Sequence, residues 1–372
     1  MTSSSIAIAE SSRGASLLRR LRAYLPSFRL RTLLIFAVVF CVLFGWIGRG
    51  VHRVREEDAA MESLLRAGAT IWLIEDSLNH PQLMGNTYDA SFFDPKGERL
   101  ARIVGWRKSP RIYSLSLNAP HPDDVTADDA LAALLFFPDV EELSLSGEGF
   151  DDASIQELDI LLRLKSLTLG YTRVTAEGLA AIPAPERIRM LRSAELGAAP
   201  NLLVGVSALT ELRSLAIEHP TILQEEIDAV AAHPKLETLT LPIDRLASAG
   251  LFATLQRSES LRDLHVSLLD TAFFVPTSLP ELHVPPSVER FSIDGIQSSE
   301  LSQIAPGRDL RTFMLVDWNA TDDAVRAFSA QNPDCQVQVW GWCLSGGPDA
   351  VYLAGRRVRP GTTEPLVQAL AP

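Results

Sequence analysis

Leu164-Lys-Ser-Leu167-Thr-Leu169 is the stretch that decides how this chain folds. Its apolar residues stand first, fourth and sixth, and the last three positions alternate as side chains on a β-strand do. Read as a strand, it turns Leu164, Leu167 and Leu169 to one side and Lys165, Ser166 and Thr168 to the other. The phrase recurs as Leu212-Arg-Ser-Leu215-Ala-Ile217, Leu236-Glu-Thr-Leu239-Thr-Leu241 and Leu261-Arg-Asp-Leu264-His-Val266. Weaker copies begin at Ile112, Val140, Ile188, Val288 and Leu310, and a half-copy places Val337 and Val339 behind Asp334. Neighbouring copies start 22 to 28 residues apart, most often 24. One such strand cannot bury its apolar row alone, so the periodicity calls for a neighbour stacked on each side.

The second half of each repeat reads as a short helix. After Leu169 come Gly-Tyr-Thr-Arg-Val174-Thr175-Ala-Glu177-Gly-Leu179-Ala-Ala-Ile182, with Thr175 as N-cap, Glu177 in the first turn and Leu179 and Ile182 on one face. The same grammar follows Thr126 and Thr321, and Thr221 with Gln224 has the spacing of a capping box.

This pattern resembles the leucine-rich-repeat family over roughly residues 112 to 340. Thr172-Arg-Val174-Thr175-Ala-Glu-Gly178-Leu179 is similar to a stretch on the convex side of bacterial membrane-anchored members. The resemblance implies an α/β solenoid of about nine repeats of ~24 residues. It also implies an extended surface whose usual role is to hold a partner. Many family members place Asn eight residues after the first leucine. Here those positions are Glu148, Thr172, Leu196, Pro220, Asp244 and Trp318. The stretch Pro183–Ser207 is poor in phrase residues, and Leu279-Pro-Glu-Leu282-His-Val284 is an extra half-copy. The expectation is an irregular arc.

Upstream, Leu33–Gly48 (LLIFAVVFCVLFGWIG) holds no charge. Sixteen helical residues span ~24 Å, which Leu30, a snorkelling Arg31 and Thr32 extend toward a ~30 Å hydrocarbon core. Trp46 suits an interfacial anchor. The alternative is a cleaved signal peptide, but the run is long for one and offers no small-residue cleavage site. Arginines at 13, 19, 20, 22, 29 and 31 precede the segment with one acid, Glu10. That bias puts the N-terminus in the cytoplasm and the repeats outside. The reading divides the chain into an Arg-rich tail (1–31), a transmembrane helix (32–48), an amphipathic helix and N-terminal cap (49–111), the repeats (112–340) and a C-terminal tail (341–372).

Residues 1–55 hold nine Arg and one acid, while the remainder carries 25 basic and 45 acidic residues. A domain that acidic lacks the basic footprint of nucleic-acid binding. Cys335 and Cys343 either bridge or remain thiols; Cys41 lies in the apolar span.

No HExxH, GxSxG, Walker loop or CxxC pair occurs. His265 and His283 are read into solvent-facing slots of consecutive strands, and a two-His metal site would lack a third ligand. Paired acids such as Asp151-Asp152 serve helix caps without any catalytic role.

The outward strand slots carry mixed charge: Glu141, Glu142, Lys165, Arg189, Arg213, Glu237, Arg262, Asp263, His265, Glu289, Arg290 and Arg311. These are the candidate protein-binding residues; the plainer alternative is that they are only solvated. The expectation is a non-enzymatic, single-pass membrane protein that binds a protein partner, with no cofactor, metal, nucleic acid or small-molecule substrate. The rival is an envelope-structural or signalling scaffold in which the solenoid is a spacer.

Overall fold

The computed structural model describes residues 30–74, 81–84, 103, 111–118, 125–194, 202–218, 222–244, 248–269, 279–316, 321–340 and 350–358. The Arg-rich leader, most of 76–110, Trp318, Trp342 and Cys343 lie outside the described residues. Two compact units divide the chain: Met1–Glu57 with Ser91–Ser109, and Asp58–Ala90 with Pro110–Pro372.

In the first unit, helix α1 begins. It runs unbroken from Leu30 to Arg66, 37 residues, or ~55 Å. It is long and apolar enough to cross a membrane, with mean hydropathy 2.2, and the side chains of its apolar window are not buried. The sequence suggested a separate amphipathic helix after the transmembrane segment. The two are one helix because no proline interrupts them and the glycines at 45, 48 and 50 cost little against so many helix formers. Gly50 is required for a different reason. A Cβ there would collide with the backbone carbonyl of Ile103.

The second unit takes over at Asp58, where Ala60, Met61 and Leu64 are buried. Its sheet begins with β1 (Thr70–Ile74), β2 (Pro81–Met84) and β3 (Arg111–Asn118), then β4 (Glu142–Ser146), β5 (Ser166–Gly170) and β6 (Met190–Ala194). It continues through β7 (Ser214–Ile217), β8 (Thr238–Asp244) and β9 (Asp263–Leu269). Two-residue β10 (Leu282–His283) and β12 (Ile304–Ala305) flank β11 (Arg290–Asp294) and pair only with each other. The last strands are β13 (Thr312–Val316), β14 (Gln336–Trp340), β15 (Ala350–Leu353) and β16 (Arg356–Val358). Fourteen of them form one sheet in the order β16-β15-β14-β13-β11-β9-β8-β7-β6-β5-β4-β3-β1-β2.

From β3 to β14 every pairing is parallel, and the phrase leucines stand in register: Leu143, Leu167, Leu191, Leu215, Leu239, Leu264, Phe291, Phe313 and Val337 are successive partners. All are at most 2% exposed, so the alternation read from the sequence is the burial pattern observed.

Between strands run helices or 3-10 turns. The helices are α2 (Val125–Ala133), α3 (Asp152–Gln156), α4 (Ala176–Ala180), α5 (Gln224–Ala231), α6 (Ser248–Leu255) and α7 (Asp322–Gln331). After β6, where the phrase is poor, a 3-10 segment (Leu202–Ala208) replaces the helix. Phenylalanines tie helices to sheet. Phe252 of α6 meets Phe291 edge-on at 5.8 Å, Phe291 stacks on Phe313 at 5.5 Å, and Phe313 meets Phe328 of α7 at 4.9 Å.

Thr175 and Thr321 cap α4 and α7 as read from the sequence, accepting the amides of Gly178 and Ala324. The cap of α5 differs. Its carboxylate comes from Glu226, which accepts the Leu223 amide at 3.0 Å, while Gln224 is the first helical residue; Thr221 lies outside the described residues. Glu226 also accepts the Leu203 amide of the preceding repeat at 3.2 Å. Glu300 repeats the device, with the amides of Gln297 at 2.8 Å and Leu279 at 3.3 Å. Carboxylates thus join repeats where an asparagine row was absent.

The turns after β4, β5 and β11 share a rule. Gly147, Tyr171 and Gly295 occupy the same repeat position and all have positive φ. Two are glycine, the residue that conformation favours; Tyr171 is strained there.

The C-terminal tail is partly folded, contrary to the reading of 341–372 as a tail. β15 and β16 form a hairpin turning at Ala354-Gly355, both with positive φ. Buried Tyr352 bonds Asp322, and the Gly355 amide bonds Ser329 at 3.0 Å. The hairpin pairs antiparallel with β14 and covers the edge it would otherwise expose. At the other end β1 and β2 do the same for β3.

Candidate interaction surface

The residue after each phrase leucine forms a row across the sheet. Its backbone is bonded strand to strand: Lys165 N–H to Glu141 C=O, Arg189 to Lys165, Arg213 to Arg189, Glu237 to Arg213, Arg262 to Glu237, Glu289 to Arg262 and Arg311 to Glu289, at 2.8 to 2.9 Å. Residues about two dozen apart in sequence are therefore neighbours in space. The row reads, in order, acid, base, base, base, acid, base, acid, base.

Much of this charge is spent internally. Lys165 pairs with Glu141 at 2.6 Å and Arg213 with Glu237 at 2.5 Å. Arg290 grips Asp263 through two nitrogens, which raises the arginine's pKa. Glu142 accepts the Tyr113 hydroxyl at 2.9 Å, holding that phenol above its ordinary pKa. Arg262 donates to the Ser287 carbonyl at 3.0 Å. Along the same side, Lys235 pairs with Glu211 and Arg192 with Glu218. Unlike these, the side chains of Arg189 and Arg311 are exposed and no bonded acid is seen for either among the described residues, though Arg189 lies within electrostatic reach of Glu211. Arg311 lies beside Glu289, whereas the row neighbours of Arg189 are both cationic.

His265 of β9 stands opposite Thr240 of β8 and Ser292 of β11. It is half-buried, and burial lowers its pKa against an opposing pull from Asp294. His283 is not its neighbour in the sheet, as the sequence suggested. It belongs to β10, so the main sheet passes directly from β9 to β11. The half-copy Leu279–Val284 serves the core instead, with Leu279, Leu282 and Val284 buried.

Two features escaped a search for charge. Met190 is 47% exposed, the one exposed large apolar side chain among strand residues whose side chains are described. Ser193 of the same strand is fully buried with an unpartnered hydroxyl, in a slot that other repeats fill with Leu, Ile or Val. The signal was legible, since Ile188-Arg-Met190-Leu191-Arg-Ser193 departs from the phrase in both places.

Elsewhere, an open cleft of about 340 Å³ is lined by Asp228, His233, Arg257, Glu259 and Ser260. Both imidazole nitrogens of His233 are engaged, with the Leu209 carbonyl and the Lys235 amide. Cys335 is a buried thiol, free among the described residues, and burial raises its pKa to about 11; Cys343, its candidate bridge partner, lies outside the described residues. The chain matches no protein-family model and no curated protein.

Proposed function

We propose that the chain is a leucine-rich-repeat solenoid held at a membrane by α1, with its repeats outside the cytoplasm, and that it acts as a non-enzymatic protein-interaction module. The observation that carries this reading is the row from Glu141 to Arg311. Eight consecutive strands present a charged side chain at one register position of a parallel sheet, a pattern that suits steering and matching a polar partner. The alternative, a spacer within an envelope or signalling assembly, has its own support in the internal pairing of that charge, because paired surface ions contribute little to either binding or stability.

The test is photo-crosslinking of the full-length protein in native membranes. A crosslinking residue at Ser214, on the sheet face, is compared with one at Glu157, in the 3-10 turn after α3. Discrete protein adducts from Ser214 are expected. Adducts from neither position, or only from Glu157, overturn the sheet face as the docking side.

A further inference from the structure

We infer that strand β6 is the docking point of this surface, and that it takes an extended acidic protein segment in which a carboxylate meets Arg189 and an apolar side chain covers Met190. The inference rests on the interaction reading above and names its site and partner chemistry.

Three observations meet at β6. The first is charge. Lys165, Arg189 and Arg213 are consecutive in the bonded row, and the outer two each hold their own acid, Glu141 and Glu237. Arg189 is left exposed with like charge on both sides of it in the row, and the acid within its electrostatic reach, Glu211, is bonded to Lys235. A guanidinium so placed gains from a carboxylate supplied in trans, and its planar fork accepts one through two parallel hydrogen bonds.

The second is relief. Met190 stands between Ser166 and Ser214, its register partners on β5 and β7. Arg192 stands between Thr168 and Ala216. The long side chains of β6 thus rise from a floor of small ones, and Met and Arg are among the residues enriched at interface cores. The third is local cost. β6 combines an exposed apolar residue with a buried, unpartnered hydroxyl, Ser193; β11 shares the second feature, at Ser292, without the first. Departures from the inside–outside rule concentrate where a sequence answers to function.

Charge elsewhere favours this polarity of partner. Among the described residues between 125 and 340, every Lys and Arg except Arg173, Arg257 and Arg326 lies in a strand or in the turn leading into it. The helices carry the acids of Asp128, Asp152, Glu177, Glu225 and Asp322, so an acidic segment is repelled there and steered to the strand side.

The experiment uses full-length protein in neutral-lipid nanodiscs. A fluorescent pool of decapeptides made of Asp, Glu, Leu, Phe and Gly is titrated by anisotropy, and a pool with Lys and Arg replacing the acids serves as comparison. The acidic pool is expected to bind. Arg189→Glu and Met190→Glu should each weaken it about tenfold or more, while Arg257→Glu, exposed in the turn that closes α6 and outside the row, leaves it unchanged, all with melting temperatures near wild type. If either β6 variant misfolds, Arg189→Gln and Met190→Ser take its place. Binding that survives the β6 changes but falls with Arg311→Glu overturns β6 and leaves the interaction reading standing. Equal binding of both pools, or displacement of the acidic pool by inorganic phosphate or phosphatidylserine vesicles at Arg189, overturns the peptide as occupant. Binding of neither pool sinks this inference, while adducts from Ser214 in the crosslinking test would still support the broader one.

Discussion

Asp152 of one repeat accepts both the amide and the hydroxyl of Thr175 in the next, each at 2.7 Å. Thr175 in turn accepts the Gly178 amide to start α4. One carboxylate therefore orients the residue that caps the neighbouring helix, and repeat-to-repeat packing is coupled to helix formation. A Cβ at position 178 would strike the Asp152 carboxylate. Gly178→Ala is expected to destabilise the protein by about 1–3 kcal/mol, the cost of an overpacked contact. In an Asp152→Ala background the same change should cost less, by at least ~0.5 kcal/mol. A denaturation cycle of the four proteins checks this, and additive costs would refute the coupling.

Glu226 makes an analogous link from a buried position, 2% exposed, to the amides of Leu203 and Leu223. Glu226→Ala strands both donors and should cost about 2–3 kcal/mol. Glu225→Ala, one residue away and exposed, should stay within about 0.5 kcal/mol. Similar unfolding midpoints for the two variants would contradict the inter-repeat role.

Strand register can be tested on β8. Leu239 is 1% exposed and faces the core, while Thr240 is half-exposed on the opposite face. Leu239→Ala is expected to cost about 2–5 kcal/mol. Thr240→Ala should cost no more than about 0.5 kcal/mol. Equal losses in a urea melt would mean that the register is shifted.

His265 supplies a pH dependence. Burial depresses its folded-state pKa below the ordinary histidine value of 6.5. Its neutral form is thus the one the fold accommodates. The resulting stability is present above 6.5 and is lost as pH falls through the lower, folded-state value. Melting temperatures of wild type and His265→Asn are expected to converge on acidification below pH 6.5. Parallel curves from pH 7.5 to 5 would remove this group from the pH response.

Helix α1 makes the membrane prediction. Its uncharged, unburied stretch should keep the full-length protein in the membrane pellet through alkaline carbonate and high-salt washes. Release to the supernatant, or a mature N-terminus near residue 50, contradicts the anchor. Protease protection of the repeats in intact cells would reverse their orientation.

The strands were legible because their signal is local and redundant. Leu164, Leu167 and Leu169 declare one inward face, and a one-residue slip would bury Ser166 and Thr168 instead. Two-dozen-residue spacing then makes each strand the neighbour of the next, and the observed pairing from β3 to β14 follows that spacing. The caps at Thr175 and Thr321 were readable for the same reason, since a cap depends on residues three apart.

Contacts between repeats were not readable in this way. Nothing local distinguishes Glu226, which anchors two amides, from exposed Glu225. Only packing against Leu203 in the previous repeat separates them. Likewise the half-copy at Leu279 has a strand's pattern, but its place in the main sheet is taken by β11, so it buries its leucines beside β12. The charges of the strand face were all visible as residue types. Which were neutralised depended on parallel register, which sets Lys165 against Glu141 and Arg213 against Glu237 and leaves Arg189 between two cations. Periodicity specifies a strand's own two faces; partnership belongs to atoms brought together from distant points in the chain.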